Sequence, residues 1–130
     1  MASDPLILVD GAHNDYSAAR LRKALESLYP NRQRIFILGI SANKDIGGIV
    51  SNLVPGSKAV VVTRARHARA AALDVIRREV HRAGIAAIEM DTLSQALEKA
   101  RQLVIGDEMI VITGSLFLVG EALELIGKKG

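Results

Sequence analysis

The chain has 130 residues, 49% of them hydrophobic, and 17 Lys plus Arg against 14 Asp plus Glu leave a net charge of +3. That is enough apolar material for the core of one domain over residues 1–130, and the modest positive balance suits a phosphate-bearing ligand as well as it suits solubility. The absence of cysteine excludes a disulfide framework and a thiolate metal site. No apolar run approaches the ~18 residues of a membrane span and the first five residues are no leader, so the chain reads as cytoplasmic, with no membrane partner.

In chain order, an apolar run at residues 6–9 ends in the polar turn Asp10-Gly-Ala-His-Asn14. Asn14 is a good helix N-cap, and Ala18, Leu21, Leu25 and Leu28 then recur at helical spacing until Pro30 stops the helix. Residues 35–38 form a second buried strand ending at Gly39. The next helix starts near Asp45 and runs to Leu53 or Val54. Gly47-Gly48 weakens its first turn by about 1 kcal/mol per glycine, so that turn starts late or packs tightly against a neighbour.

Residues 58–62 give a third strand, followed by a loop from Thr63 to Arg69 and a helix whose buried stripe is Leu73, Ile76 and Val80. A short, alanine-rich strand at 85–90 belongs at an edge. Thr92 caps a fourth helix with Leu93, Ala96, Leu97, Ala100 and Leu103 on its inner face. Residues 109–112 form the fifth strand, and Gly114-Ser115 opens a last helix whose Leu116, Val119, Leu123 and Ile126 are expected to face the sheet. Strands alternating with helices predict a Rossmann-like, three-layer α/β/α domain with a mainly parallel sheet of about five strands flanked by about five helices.

In such a sheet the loops after the strands share one rim, where ligands bind. Asp10, Lys44, the segment from Arg64 to Arg69 and Ser115 all fall on it. An aspartate there can accept two ribose hydroxyl hydrogen bonds or simply hold its own turn. Lys44 offers a compact ammonium for a carboxylate or phosphate, or is merely solvated, and Ser115 is also a natural N-cap. The basic residues Arg64, Arg66, His67 and Arg69, with Arg77, Arg78, His81 and Arg82, read as a solvated face. With 3% aromatic residues there is almost no stacking platform, so no nucleic-acid partner is expected. His67 and His81 have no acidic neighbours at metal-ligand spacing, and no metal site is assigned.

Asp10-Gly-Ala-His-Asn14, Gly39 with Asn43-Lys-Asp-Ile46, and Thr113-Gly-Ser-Leu-Phe-Leu-Val-Gly120 stand in this order along the chain, with a looser Thr63-Arg-Ala-Arg-His-Ala-Arg-Ala70 between them. Together they resemble the C-terminal domain of folylpolyglutamate synthase, often also dihydrofolate synthase, within the Mur ligase group of ATP-dependent amide-forming enzymes. The resemblance implies a nucleotide site at Asp10, His13 and Asn14, with Asp10 on the ribose and His13 close to the phosphates. It implies a glutamate site at Lys44, Asp45 and Ser115, and raises Arg69 as a further position.

The same resemblance implies that the parent ligase uses ATP and Mg2+ to turn the terminal carboxylate of a folate into an acyl phosphate, which the amine of L-glutamate attacks. No G-x-x-x-x-G-K-[ST] phosphate loop is present. The family keeps that loop in an N-terminal ATPase domain, which would be this domain's partner. The chain therefore reads as an excised C-terminal domain, with no catalytic residue of its own and inactive alone. The family's usual tryptophan-proline-glycine-arginine stretch and a further strand are missing before residue 6, which should leave the first strand as an exposed edge. Asp15 replaces the family's usual proline.

Two other readings stay open. One is the equivalent domain of a cell-wall Mur ligase, which typically has tyrosine before Ala-His-Asn. The other is a non-catalytic α/β binding module, although the carboxylate pair and strand-end lysine of a receiver domain are absent, as is the G-x-G-x-x-G of a dinucleotide fold.

Overall fold

The protein is described by a computed structural model covering residues 5–127. Among these residues, strands β1 (Ile7–Val9), β2 (Arg34–Leu38), β3 (Ala59–Val62), β4 (Ala87–Glu89) and β5 (Met109–Thr113) alternate with five helices. The helices are α1 (Asp15–Leu28), α2 (Ile46–Leu53), α3 (Leu73–Arg82), α4 (Leu93–Leu103) and α5 (Leu116–Gly127). The strands pair in parallel in the order β1-β5-β2-β3-β4. As expected, β1 and β4 are the edges.

Why the central strands read as unbroken apolar runs follows from the layers. Successive strand residues point to opposite faces, and here both faces are covered. Phe36, Leu38, Val60, Val62 and Val111 pack on one side against Leu21 and Leu25 of α1, Ile49 and Leu53 of α2, and Ile76 and Val80 of α3. Ile35, Ile37, Val61, Ile110 and Ile112 pack on the other against Leu97 and Ala100 of α4 and Leu118 and Ala122 of α5. Each fully buried side chain of this size contributes about 1.5–3 kcal/mol of transfer free energy. The sheet is thus a stable platform for the loops at its ends.

Local chemistry fixes the helix starts. Asn14 and Ser17 form a capping box on α1, with the Ser17 amide donating to the Asn14 side-chain oxygen at 2.7 Å. Thr92 accepts from the Gln95 amide at 3.2 Å on α4. The first turn of α2 packs tightly at Gly48. A Cβ at Gly48 would lie 3.0 Å from the Asp15 Cβ and closer still to the Asp45 carboxylate.

One expectation fails. Leu116 and Leu123, predicted to face the sheet, are 61% and 60% exposed, and Leu118 and Ala122 are buried in their place. α5 is apolar almost all round, so its periodicity carries two competing stripes and hydrophobicity alone does not choose between them. Leu28, at the end of the α1 pattern, is likewise exposed. The basic face of α3 is laced with ion pairs, Arg77 to Glu89 at 2.7 Å, Arg78 to Asp74 at 3.6 Å and Arg82 to Glu79 at 3.7 Å. Among the described residues no helix is long and apolar enough to cross a membrane.

Candidate functional site at the carboxyl ends of the strands

The topology opens a crevice around β5. β5 feeds α5 on one face of the sheet, while β1 and β2 on either side of it feed α1 and α2 on the other. Adjacent loops therefore diverge, which is the arrangement that receives ligands in open α/β sheets. Register brings the strand ends level: Val9 opposes Ile112, and Leu38 opposes both Thr113 and Val62.

Backbone hydrogen bonds then stitch the loops together. The Asp10 amide donates to Ile112 at 3.0 Å, Gly114 to Ala12 at 3.0 Å, and Gly39 to Thr113 at 3.4 Å. The close approach of the β2 and β5 loops requires glycine at 114. Its φ is +113°, and a Cβ there would stand 2.8 Å from the Gly39 carbonyl oxygen.

The first loop satisfies itself. The Asp10 carboxylate accepts from the Ala12 amide at 2.9 Å through one oxygen, which leaves the other uncommitted. The turn-holding role is thus present, and it does not use up the side chain. His13 places Nδ1 2.9 Å from the Gly11 carbonyl, so Nδ1 carries a proton and donates, leaving Nε2 free. Asn14 spends its side-chain oxygen on α1, accepting from both the amide and the hydroxyl of Ser17. Asp10, His13, Ser17 and Arg20 line an open groove of about 420 Å³ beside this turn. Arg20 is an exposed residue of α1. It follows Ser17 by three residues, which puts the two on one face of the helix.

The β2 loop holds Lys44 out to solvent, and no ion pair engages it among the described residues. Asp45 caps α2, accepting from the Gly48 amide at 3.0 Å. The loop hangs on the one after β3: the Ala42 amide donates to the Arg69 carbonyl at 2.7 Å, Ser41 bridges Ala70, and the Ala71 amide donates to Ile40 at 2.9 Å. Arg64 and Arg69 are exposed. Ser115 is buried at the start of α5, and its hydroxyl oxygen accepts from the Phe117 and Leu118 amides at 3.1 and 3.4 Å. Ser41, Ala70, His67, Ser115 and Phe117 line one narrow crevice with Gly39.

The sequence-derived residues therefore fall into two neighbouring patches on one rim: Asp10, His13 and Asn14 on the β1 loop, and Lys44, Asp45, Arg69 and Ser115 on loops tied to one another. His67, assigned from the sequence to a solvated basic face, instead stacks its ring on Phe117 with centroids 3.6 Å apart and 17° between planes. The sequence had no signal for that pairing, which joins residues 50 positions apart. Among the described residues no three His, Asp or Glu side chains converge as a metal site.

Comparison with known proteins bears on the fold and the family. Residues 1–116 match the family model of the Mur ligase, glutamate ligase domain. The chain is 30% identical to a dihydrofolate synthase/folylpolyglutamate synthase of Buchnera aphidicola, over 97% of this chain and 29% of that protein. It is also 30% identical to the Mycobacterium tuberculosis protein of the same name, over 98% of this chain and 29% of that one. The structure of M. tuberculosis folylpolyglutamate synthase complexed with ADP and AMPPCP superposes with a TM-score of 0.89 at 30% identity, covering 97% of this chain and 30% of that one. The chain thus spans somewhat less than a third of these relatives. Because that family model matches most of the chain, this chain belongs to the Mur ligase glutamate-ligase domain family.

Proposed function

We propose that this chain is the C-terminal domain of an ATP-dependent folylpolyglutamate synthase, a tetrahydrofolate:L-glutamate γ-ligase, and that its rim presents L-glutamate and part of the nucleotide to an N-terminal ATPase domain. The observation that carries this is the gathering of the Asp10, Lys44 and Ser115 loops at the carboxyl ends of β1, β2 and β5.

In the reaction proposed for the whole protein, ATP phosphorylates the terminal carboxylate of the folate. The amine of glutamate attacks the acyl phosphate, an amide forms, and phosphate leaves. This chain's residues bind and orient. The free oxygen of Asp10 accepts from a ribose hydroxyl. His13, with Nδ1–H held by Gly11, meets a phosphate as a donor through Nε2 when the ring carries both protons. Asn14 keeps the turn in register through its cap.

On the other patch, the Lys44 ammonium pairs with a glutamate carboxylate. The Ser115 hydroxyl, its oxygen already accepting two amides, directs its proton outward to the same ligand. Asp45 fixes the Lys44 turn and offers its second oxygen to the amine, and Arg69 adds a cation beside them. Holding the amine in line is worth much of the barrier to a bimolecular step.

Among the described residues no three His, Asp or Glu side chains gather as a metal site, and no step here runs through Mg2+. Mg2+ accompanies ATP on the part of the protein outside this chain, and this chain alone is expected to turn over no substrate. The test is ligation by the full-length protein carrying this chain, given MgATP, L-glutamate and a reduced folate, with added glutamyl residues read by mass spectrometry. Growth of the glutamyl chain supports the reading. Amino-acid addition to a cell-wall nucleotide peptide instead, with no folate product, overturns it.

A further inference from the structure

We infer that His67 and Phe117 are positioning residues for the glutamate site, forming a clamp that sets the Lys44 loop against Ser115. This rests on the reading above. Lys44 and Ser115 come from different strand ends, β2 and β5, and the loop of residues 63–71 after β3 braces one to the other. At its α5 side, the His67 ring stacks on Phe117, two residues beyond Ser115, at 3.6 Å. The Arg66 amide reinforces that attachment, donating to the Glu121 carboxylate at 2.5 Å.

At its β2 side, His67 Nδ1 accepts from the Arg69 amide at 3.1 Å. The Arg69 carbonyl in turn accepts from Ala42 at 2.7 Å, and the Lys44 amide donates to Ser41 at 3.1 Å. Every link from Phe117 to the Lys44 backbone is therefore a stacking contact, a hydrogen bond or a covalent bond. The face-to-face stack takes the apolar faces of both rings out of water, which adds to these polar links. The stack is placed where that energy fixes a loop rather than the core: His67 is exposed, and Phe117 is 44% exposed. A solvent-facing aromatic pair at the mouth of the crevice contributes little to the two buried clusters, which include neither residue.

The experiment has two arms. In the 130-residue chain, hydrogen exchange is measured for His67→Ala, His67→Phe and Phe117→Ala. The alanine variants should speed exchange of the Ala42 and Arg69 amides by roughly tenfold or more, as local opening becomes easier, and leave α4 amides unchanged. His67→Phe keeps the stack but loses the acceptor, so it should release Arg69 more than Ala42. In the full-length ligase, both alanine variants should raise the glutamate KM by about fivefold or more with kcat and the MgATP KM within about twofold, and His67→Phe should recover part of the loss.

Unchanged exchange at Ala42 and Arg69 overturns the clamp whatever the activity. Faster exchange with an unchanged glutamate KM, or with all KM values moving alike, overturns its role in glutamate positioning. A wild-type protein that ligates no glutamate, or a Lys44→Ala variant with an unaltered glutamate KM, brings down the proposed function itself and the clamp's role with it.

Discussion

The two ends of the sheet use their charges in opposite ways. At the amino end of β5, Glu108 is buried and ion-paired with Lys58, and it also accepts from the Ile105 and Gly106 amides at 3.1 and 2.7 Å. Lys58 donates to the Leu103 carbonyl at 2.9 Å, and Arg32 to the Asp107 carbonyl at 2.5 Å. Arg34 starts β2 there as well. Burial, then the nearby Arg22, hold its guanidinium below the usual arginine range, with Glu26 opposing.

At the carboxyl end, Lys44, Arg64 and Arg69 face solvent, and no ion pair engages them among the described residues. Charges closed on protein partners hold a fold together, and charges left open at a crevice are available to a ligand. The difference teaches where to look for stability and where to look for function on the same five strands.

Substitutions should separate the two ends. The largest effect is expected at Gly114, which is part of the rim's backbone rather than its chemistry. Gly114→Ala places a methyl 2.8 Å from the Gly39 carbonyl at a positive φ, and should cost about 3 kcal/mol in urea unfolding. Next comes the acid response of the amino end. The Lys58 hydrogen bond, followed by backbone donors, lowers the Glu108 pKa from 4.5 to about 2. Its contribution to stability is therefore complete above the unfolded value near 4.5 and is lost as the pH falls through about 2. Glu108→Gln should flatten the thermal stability profile over that window, and Lys58→Met should lower the melting temperature at neutral pH.

A smaller loss is expected from Asn14→Ala, which removes the α1 cap and should cost about 1 kcal/mol by denaturant titration. Least of all, Lys44→Ala should move stability by no more than about 0.5 kcal/mol, the usual range for an exposed side chain with no structural partner. A large destabilisation at Lys44 would break the comparison between the two ends.

Much of the fold was legible because it depends on period and punctuation. The short unbroken runs of β2, β3 and β5, bounded by turn residues, fit strands covered on both faces. Asn14, Pro30 and Thr92 mark helix ends with chemistry that acts locally. α5 was not legible in its facing, because Leu116 and Leu118 are equally apolar and only packing against β5 and β1 distinguishes them.

Of the site, Asp10, Lys44 and Ser115 could be placed on one rim because strand ends of a parallel sheet share a side. What they touch could not be read in the same way. Asp10 and Asn14 turn inward to hold the first loop, Asp45 to cap α2, and Ser115 to cap α5, all through contacts within three residues. The His67 to Phe117 stack spans distant segments, and nothing in either segment alone announces it.

The measurement that tests the central claim most directly is the glutamate saturation curve for ligation by the full-length protein, with and without Lys44→Ala, because Ser115→Ala would also remove the α5 cap. The expected result is a glutamate KM raised roughly tenfold or more, with the MgATP KM and melting temperature unchanged, as fits the loss of one charge-assisted contact to the ligand. An unaltered glutamate KM in a folded Lys44→Ala enzyme would contradict the account, leaving the open charge at the carboxyl end without the ligand assigned to it.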